Sequence, residues 1–410
     1  MNRIILIGNG FDLAHGLETS YNDFLNDFWK RAIEKIKKTP RIQPLEIDEF
    51  DIKNRFELPY DITTYNELIK FIHENNNEIK YKNRFLEKIT YKKHFQNWVD
   101  IENEYYNILK KSLPDILLAS HSIEISKLNS YFEDIKKHLI TYLKQIQQKF
   151  ENRISNNDNL IYPIGTKIFS SFRIMDFTEN LKDVLAKVEY EFLNQAKLET
   201  RNPIKLIDTD KKIRKVLKIF RSIDFTEKDI RNLLQSANAD EYFDLTPKNI
   251  LFLNFNYTST ESLYKSYYYD RFLKNNKTNV STNHIHGSIE ENEKNPIIFG
   301  FGDELDEDYK KIENLNDNRF LENVKSINYL DSYNYKNLLE YIESDYFQIF
   351  IMGHSCGISD RTLLNTLFEH ENCVSIKPFY HKRKNNTDNY KQYPKKCVKL
   401  ISLYPSFDIK

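Results

Sequence analysis

Arg3-Ile-Ile-Leu-Ile-Gly8-Asn-Gly10-Phe-Asp-Leu-Ala-His-Gly16 reads as a short strand, a glycine turn and the opening of a helix. Ile4, Ile5, Leu6 and Ile7 are apolar without alternation, the pattern of a parallel strand covered on both faces. Tyr21, Phe24, Leu25 and Phe28 then recur at helical spacing. The glycines stand out against the composition. The chain of 410 residues holds nine, where an average chain of that length holds roughly three times as many. Glycine kept in so poor a background points to a positive φ or to a close approach that a side chain would block.

Working outward, the other glycine clusters also follow apolar runs or histidines. Gly287 follows His286, Gly300 and Gly302 frame Phe301, and Gly353 with Gly357 brackets Gly-His-Ser-Cys-Gly. Ile250–Leu253, Ile297–Phe299, Gln348–Met352, Val374–Phe379 and Val398–Leu403 read as further strands. Between the two ends the signals are helical. Leu128, Phe132, Ile135, Leu139, Tyr142, Ile146 and Phe150 mark one long amphipathic helix. Phe95, Trp98, Glu102 and Tyr105 mark another, and Asp224–Leu234 a third with acidic first turns. Thr39–Tyr65 and Asn152–Asp158 read as loops. The expected fold class is α/β: a doubly wound parallel sheet from residues 1–35 plus 245–410, with a mainly helical insertion at 36–244. The strand-ending turns then share one edge, where open parallel sheets bind ligands.

Bulk properties exclude several classes. The formal net charge is zero, so no global field draws the chain to nucleic acid or to an anionic membrane. The run His381–Lys384 reads as a solvated loop. Three scattered cysteines make neither a disulfide framework nor a four-thiolate zinc site. A cytoplasmic protein is expected, with no signal peptide and no membrane span.

Four constellations carry chemistry. In the first, Gly8, Asn9, Gly10 and Phe11 present backbone N–H groups before a helix, as an anion site would, with Asp12, His15 and Gly16 beside them. A plain strand-to-helix turn is the competing reading. In the second, Asn254-Phe-Asn256-Tyr257-Thr258 places asparagine after a buried strand, to bind ribose or water; helix capping by Thr258 or Ser259 is the alternative. In the third, His284 and His286 would face one side of an extended segment. No third ligand accompanies them, so a general base or ribose contact at His286, beside Gly287, fits better than a metal. In the fourth, Gly353-His354-Ser355-Cys356-Gly357 matches the nucleophile elbow of hydrolases, and Asp360 with His370 or His381 supplies the triad order. Ser355 and Asp360 read equally as ligand contacts or as caps. Trp98 and Glu102 share one helix face and read as a core tryptophan and a surface glutamate.

Taken together, these motifs resemble the bacteriophage abortive-infection AbiH family. The resemblance rests on Ile5–Leu17 with Thr19-Ser-Tyr21, Trp98-x-Asp100-x-Glu102, Phe255–Thr258, His284–Gly287 and Gly353–Ser355 with Asp360. Glu18 stands where relatives often carry proline. A more distant resemblance is to sirtuins. Gly8–Leu17 is similar to their Gly-Ala-Gly-x-Ser-x-x-Ser-Gly-Ile turn, Asn254–Asn256 to Thr-Gln-Asn, His286-Gly287 to the catalytic His-Gly, and Gly353–Ser355 to Gly-Thr-Ser. It implies a sirtuin-like, Rossmann-type topology and hydrolysis of NAD at the nicotinamide–ribose bond. Asn256 and His286 would be catalytic. Gly8, Asn9, Gly10, Phe11, Asp12, His15, Gly16, Tyr257, Gly287, Gly353, His354, Ser355 and Asp360 would bind NAD, with no metal. The sirtuin zinc module is absent. Thr258 stands at the sirtuin acid and Asp12 at the sirtuin serine, so protein deacetylation is not the expected activity. The alternatives are a catalytically silent nucleotide sensor or nucleic-acid-associated toxin, and the serine hydrolase. The expected partners are a phage-encoded trigger and a second copy of the chain, bound through the helical insertion.

Overall fold

The computed structural model describes residues 1–38, 49–52, 57–91, 98–113, 124–152, 158–199, 215–216, 219–220, 225–265, 278–290, 296–301 and 307–379. Its strands are β1 (Asn2–Ile7), β2 (Phe50–Ile52), β3 (Ile79–Tyr81), β4 (Asn249–Asn254), β5 (Asn279–His284), β6 (Phe347–Met352) and β7 (Cys373–Phe379). Five of them form one sheet in the order β5-β4-β1-β6-β7, and every neighbouring pair is parallel. β2 and β3 form a separate antiparallel pair.

The apolar run of β1 is buried on both sides because helices cover both faces. Ile4 and Leu6, with Ile349 and Ile351 of β6, pack against Leu338, Ile342, Leu363 and Leu367. Those come from the helices Tyr333–Ser344 and Arg361–Phe368. Ile5 and Ile7, with Phe350 and Met352, pack against Phe11, Ile161 and Ile168 on the opposite face. Each such side chain contributes about 1.5–3 kcal/mol when fully buried. Arg3 at the start of β1 is buried too. It donates to the carbonyls of Ile168 and Ser170 and lies 4.4 Å over the Phe350 ring. Burial lowers its pKa to about 9, so it stays a cation at neutral pH.

A second core joins the helices of the middle segment to the stretch after β5. Tyr106 stacks on Phe301 with ring centroids 4.0 Å apart, and Phe132 on Phe299 at 4.8 Å. This packing carries the helix Trp98–Lys111 to the carboxyl edge of the sheet. The long periodic run forms the helix Ile125–Glu151, and the third predicted helix begins at Glu227 behind a capping box of Thr226 and Asp229.

One strand expectation needs correction, and one strand of the sheet was not foreseen. Ile297–Phe299 forms no strand of the sheet; nearby, Phe301 makes an isolated bridge to Val324. The fifth strand is β5, the polar run Asn-Val-Ser-Thr-Asn-His at the sheet's edge. An edge strand there needs no apolar run, and this one has none. Val398–Leu403 and His381–Lys384 lie outside the described residues, as do 39–48, 53–56 and 153–157 of the two predicted loops.

Candidate functional site

The strands end level. Ile7 pairs with both Asn254 and Met352, and Asn254 pairs with His284. The residues that follow them, Gly8, Phe255, Ile285 and Gly353, therefore lie on one edge. Two turns interlock there. Gly8 N–H donates to Met352 O and Gly10 N–H to Gly353 O at 2.8 Å. A Cβ on Gly8 would lie 2.5 Å from His354 Cα, and one on Gly353 only 2.1 Å from Phe11 N. The glycines are thus required where turn meets turn. Among the N–H groups expected to face an anion, those of Gly8, Gly10 and Phe11 are used within the protein. Gly16 has a different reason. Its φ of +79° closes the helix Asn9–Ala14, with Gly16 N–H on Leu13 O and Leu17 N–H on Asp12 O. That is the Schellman arrangement of a helix end.

The β4 turn is clamped by its own asparagines. Asn254 accepts from the Asn256 N–H and donates to Thr258 O and to Glu261. Asn256 donates to Gly8 O at 3.0 Å, tying the second motif to the first. Thr258 and Thr260 do not cap a helix with their hydroxyls; both donate to the buried Asp12. Desolvation raises the Asp12 pKa to about 6 against the pull of those hydroxyls.

The two histidines of the third motif diverge, because the chain turns at Gly287, whose N–H returns to His284 O. His284 meets only acceptors: Asn256 O through Nδ1 and Glu261 through Nε2 at 3.1 Å. Both nitrogens must then donate, which requires the imidazolium. Although burial opposes that charge, Glu261 raises the His284 pKa. His286 is arranged differently. Nδ1 faces Phe255 O at 3.1 Å and carries a proton, while Nε2 meets the Tyr329 hydroxyl at 2.8 Å, which can donate to a neutral ring, and lies 3.3 Å from Asp360 Oδ1. Burial and Lys325 lower its pKa. In its neutral form His286 would hold its basic nitrogen at Nε2.

Behind His286 lies a fully buried charge cluster. Asp360 Oδ1 is 3.3 Å from His286 Nε2 and 3.0 Å from Lys325 Nζ. Asp360 Oδ2 is 3.5 Å from His354 Nε2. Lys325 also meets Glu102 at 2.9 Å. Burial opposes the charge on Asp360, yet Lys325, His286 and His354 hold its carboxyl well below the usual range. Glu102 moves the other way, raised by burial and by Asp360 despite Lys325. Asp360 stands at the start of the helix Arg361–Phe368 but makes no side-chain cap.

Several sequence assignments change accordingly. Glu102, read as a surface glutamate, is 4 % exposed and belongs to this cluster. The Trp98 side chain lies outside the described residues. His15 is a core residue, bonded to Phe11 O and to the Tyr264 hydroxyl at 2.7 Å each. Tyr257 donates to Ile298 O and lies beside His286 with ring centroids 6.4 Å apart. Asn9 accepts from Thr19. The serine-hydrolase triad fails with His370, which precedes β7 and pairs with Glu343 at the amino edge of the sheet. Ser355 is exposed beyond the other end of β6, a strand length of about 17–20 Å away. The left-handed positions of the elbow belong to Gly353 and Cys356, not to Ser355. His381 lies outside the described residues. Lys325 and Tyr329 had no place in the sequence reading, since a lysine opening a short helix looks like surface.

The Asp12 environment gives a test. Between the ordinary aspartate value of 3.8 and about 6, the folded protein keeps a proton that the unfolded chain releases. Stability therefore falls as pH rises through that window. Asp12→Asn removes this term, so its stability relative to the wild type should gain roughly 2 kcal/mol between about pH 4 and pH 8. Urea unfolding at the two pH values checks it; a relative loss at high pH would show the carboxylate to be stabilised as an anion.

The family model of bacteriophage abortive infection AbiH matches residues 4–381, so the chain belongs to that family. No curated protein and no solved structure matches it. Among the described residues, no helix is long and apolar enough to cross a membrane.

Proposed function

We propose that this abortive-infection protein binds NAD at the carboxyl edge of its sheet and hydrolyses the nicotinamide–ribose bond. The observation that carries the reading is the convergence of the Gly8 turn, Asn256 and His286 on that edge, with Asn256 bonded directly to Gly8. Counted along the chain, the five parallel strands lie in the order third, second, first, fourth, fifth. That is the order of doubly wound dinucleotide-binding sheets, whose ligands sit where the order reverses. Thr258 and Asp12 add to the sirtuin-like reading. They occupy the sirtuin acid and serine positions with the types exchanged, and they are bonded to each other.

In the proposed reaction the ribose C1′–N bond breaks and its electron pair leaves on the nicotinamide nitrogen. A water oxygen bonds to C1′, and one water proton passes to His286 Nε2. Tyr329 now donates to that nitrogen, so the proton arrives after Tyr329 turns aside or through its hydroxyl. Asn256 holds the ribose and water in line. The test is incubation of purified protein with NAD, measuring nicotinamide and ADP-ribose. NAD binding without release would favour the second reading, a silent nucleotide sensor. In either reading the Gly8 and Gly10 N–H groups, used within the protein, leave the phosphates to other groups. A nucleic-acid-associated toxin draws no support from a net charge of zero.

Self-association through the helical segment is part of the proposal, as is a phage-encoded trigger and a cytoplasmic setting. Val184, Val188 and Phe192 form an exposed stripe on the helix Glu179–Glu199. Light scattering should give more than one protomer, and Val188→Glu with Phe192→Glu should return a monomer. A wild-type monomer at high concentration would remove this part.

A further inference from the structure

Asp360 Oδ1 has two claimants. Lys325 Nζ lies 3.0 Å from it and His286 Nε2 lies 3.3 Å from it. A single carboxylate oxygen between a cation and an imidazole links the two. Where the lysine takes the oxygen, the imidazole gains less by protonation and can bond to a neutral donor. His286 does so, at the Tyr329 hydroxyl. Lys325 is kept in place from its far side by Glu102, on the helix Trp98–Lys111. The chain from Glu102 to Lys325, Asp360 and His286 therefore runs from the middle segment of the sequence into the candidate site. All four side chains are at least nine-tenths buried.

We propose that Lys325, anchored by Glu102, is a positioning residue that occupies Asp360 Oδ1 and so keeps His286 as a neutral base turned toward Tyr329. The groups facing His286 are Asp360 and His354 from the β6 turn, Tyr329 and Lys325 from the helix Lys325–Leu330, and Tyr257 after β4. Of these, Lys325 is the fixed cation, and Asp360 is the anion it neutralises. Without Lys325, Asp360 becomes a free partner for protonated His286. An opposite charge at such a distance raises a pKa by about 1–3 units. Glu102 acts in the reverse sense: without it Lys325 bears on Asp360 alone, and His286 becomes harder to protonate.

The catalytic consequence rests on the NAD reading, but the test does not. Histidine-labelled protein is titrated by NMR, with the His286 resonance identified by its loss in His286→Gln. Lys325→Met alone leaves two buried carboxylates facing each other, so the informative variant is Lys325→Met with Glu102→Gln, which removes one charge of each sign. In it the His286 midpoint should rise by about 1 unit or more. In Glu102→Gln alone it should fall. Opposite movements are not expected of residues that merely hold the fold. An unmoved midpoint in the folded double variant, or a rise in Glu102→Gln, overturns the proposal. If the double variant does not fold, Glu102→Gln decides alone: a fall supports the assignment and anything else overturns it. Where the wild type releases nicotinamide, the acid limb of its pH–rate profile should shift with the His286 midpoint. Where it releases none, the NAD reading fails and the titration still stands.

Discussion

His286→Ala should lower nicotinamide release by about two to four orders of magnitude, the usual cost of a lost proton-transfer group. The expectation follows from the tautomer. Phe255 O fixes the proton on Nδ1, and Nε2 is left as the basic nitrogen. Alanine removes the base and also the bond to Tyr329. Asn256→Ala should bring a comparable loss, because the amide bonded to Gly8 O would no longer set the ribose and the water in line. Thermal unfolding of both variants serves as the control for the fold. Ser355 separates the rival chemistry. It is exposed, and Ser355→Ala should retain turnover with a weaker apparent affinity for NAD. Full activity in both His286→Ala and Asn256→Ala would sink the proposed chemistry. Loss in Ser355→Ala alone would restore the hydrolase.

The acid side of the pH profile follows from the same geometry. His286 acts only while neutral, and burial with Lys325 lowers its pKa. Activity should therefore persist below the ordinary histidine range and fall only under more acidic conditions.

The edge that carries these residues was legible because each buried strand announces itself. Ile4–Ile7, Ile250–Leu253 and Ile349–Met352 are apolar on both faces, and a polar or glycine-bearing turn follows each. β5 was not legible, since Asn279–His284 lies at the sheet's edge and carries the pattern of a loop. Asn256 and His286 could be placed on this edge because each closely follows a segment read as strand or extended. Lys325 and Glu102 could not. A lysine is seldom buried unless paired, and its partners Glu102 and Asp360 lie 223 and 35 residues away along the chain. Helical spacing gives the face on which Glu102 sits, but not which faces other parts of the protein cover. His15 lies in the same ligand-like motif, and only the fold reveals its partner Tyr264, 249 residues further along the chain.

Gly353→Ala should destabilise the protein by about 2–5 kcal/mol. Two costs combine. A φ of +74° forces alanine into the left-handed region, at roughly 1–2 kcal/mol. The new Cβ would also meet Phe11 N at 2.1 Å and Gly10 C at 2.5 Å. Both are backbone atoms that cannot rotate away, and overpacking of this kind typically costs about 1–3 kcal/mol. Gly16 supplies the internal comparison. Its φ of +79° imposes the same conformational cost, but a Cβ there meets no atom within 4 Å. Gly16→Ala should therefore lose only about 1–2 kcal/mol. Urea unfolding of the two variants measures the difference, which isolates the contact of one turn on the other. Relief of the Gly353→Ala clash would push the β6 turn off the Gly8 turn, and Gly8 O holds Asn256. That variant should consequently lose nucleotide binding as well, while Gly16→Ala keeps it. Equal losses in stability would mean that the two turns do not touch in solution, and the shared edge would lose its main support.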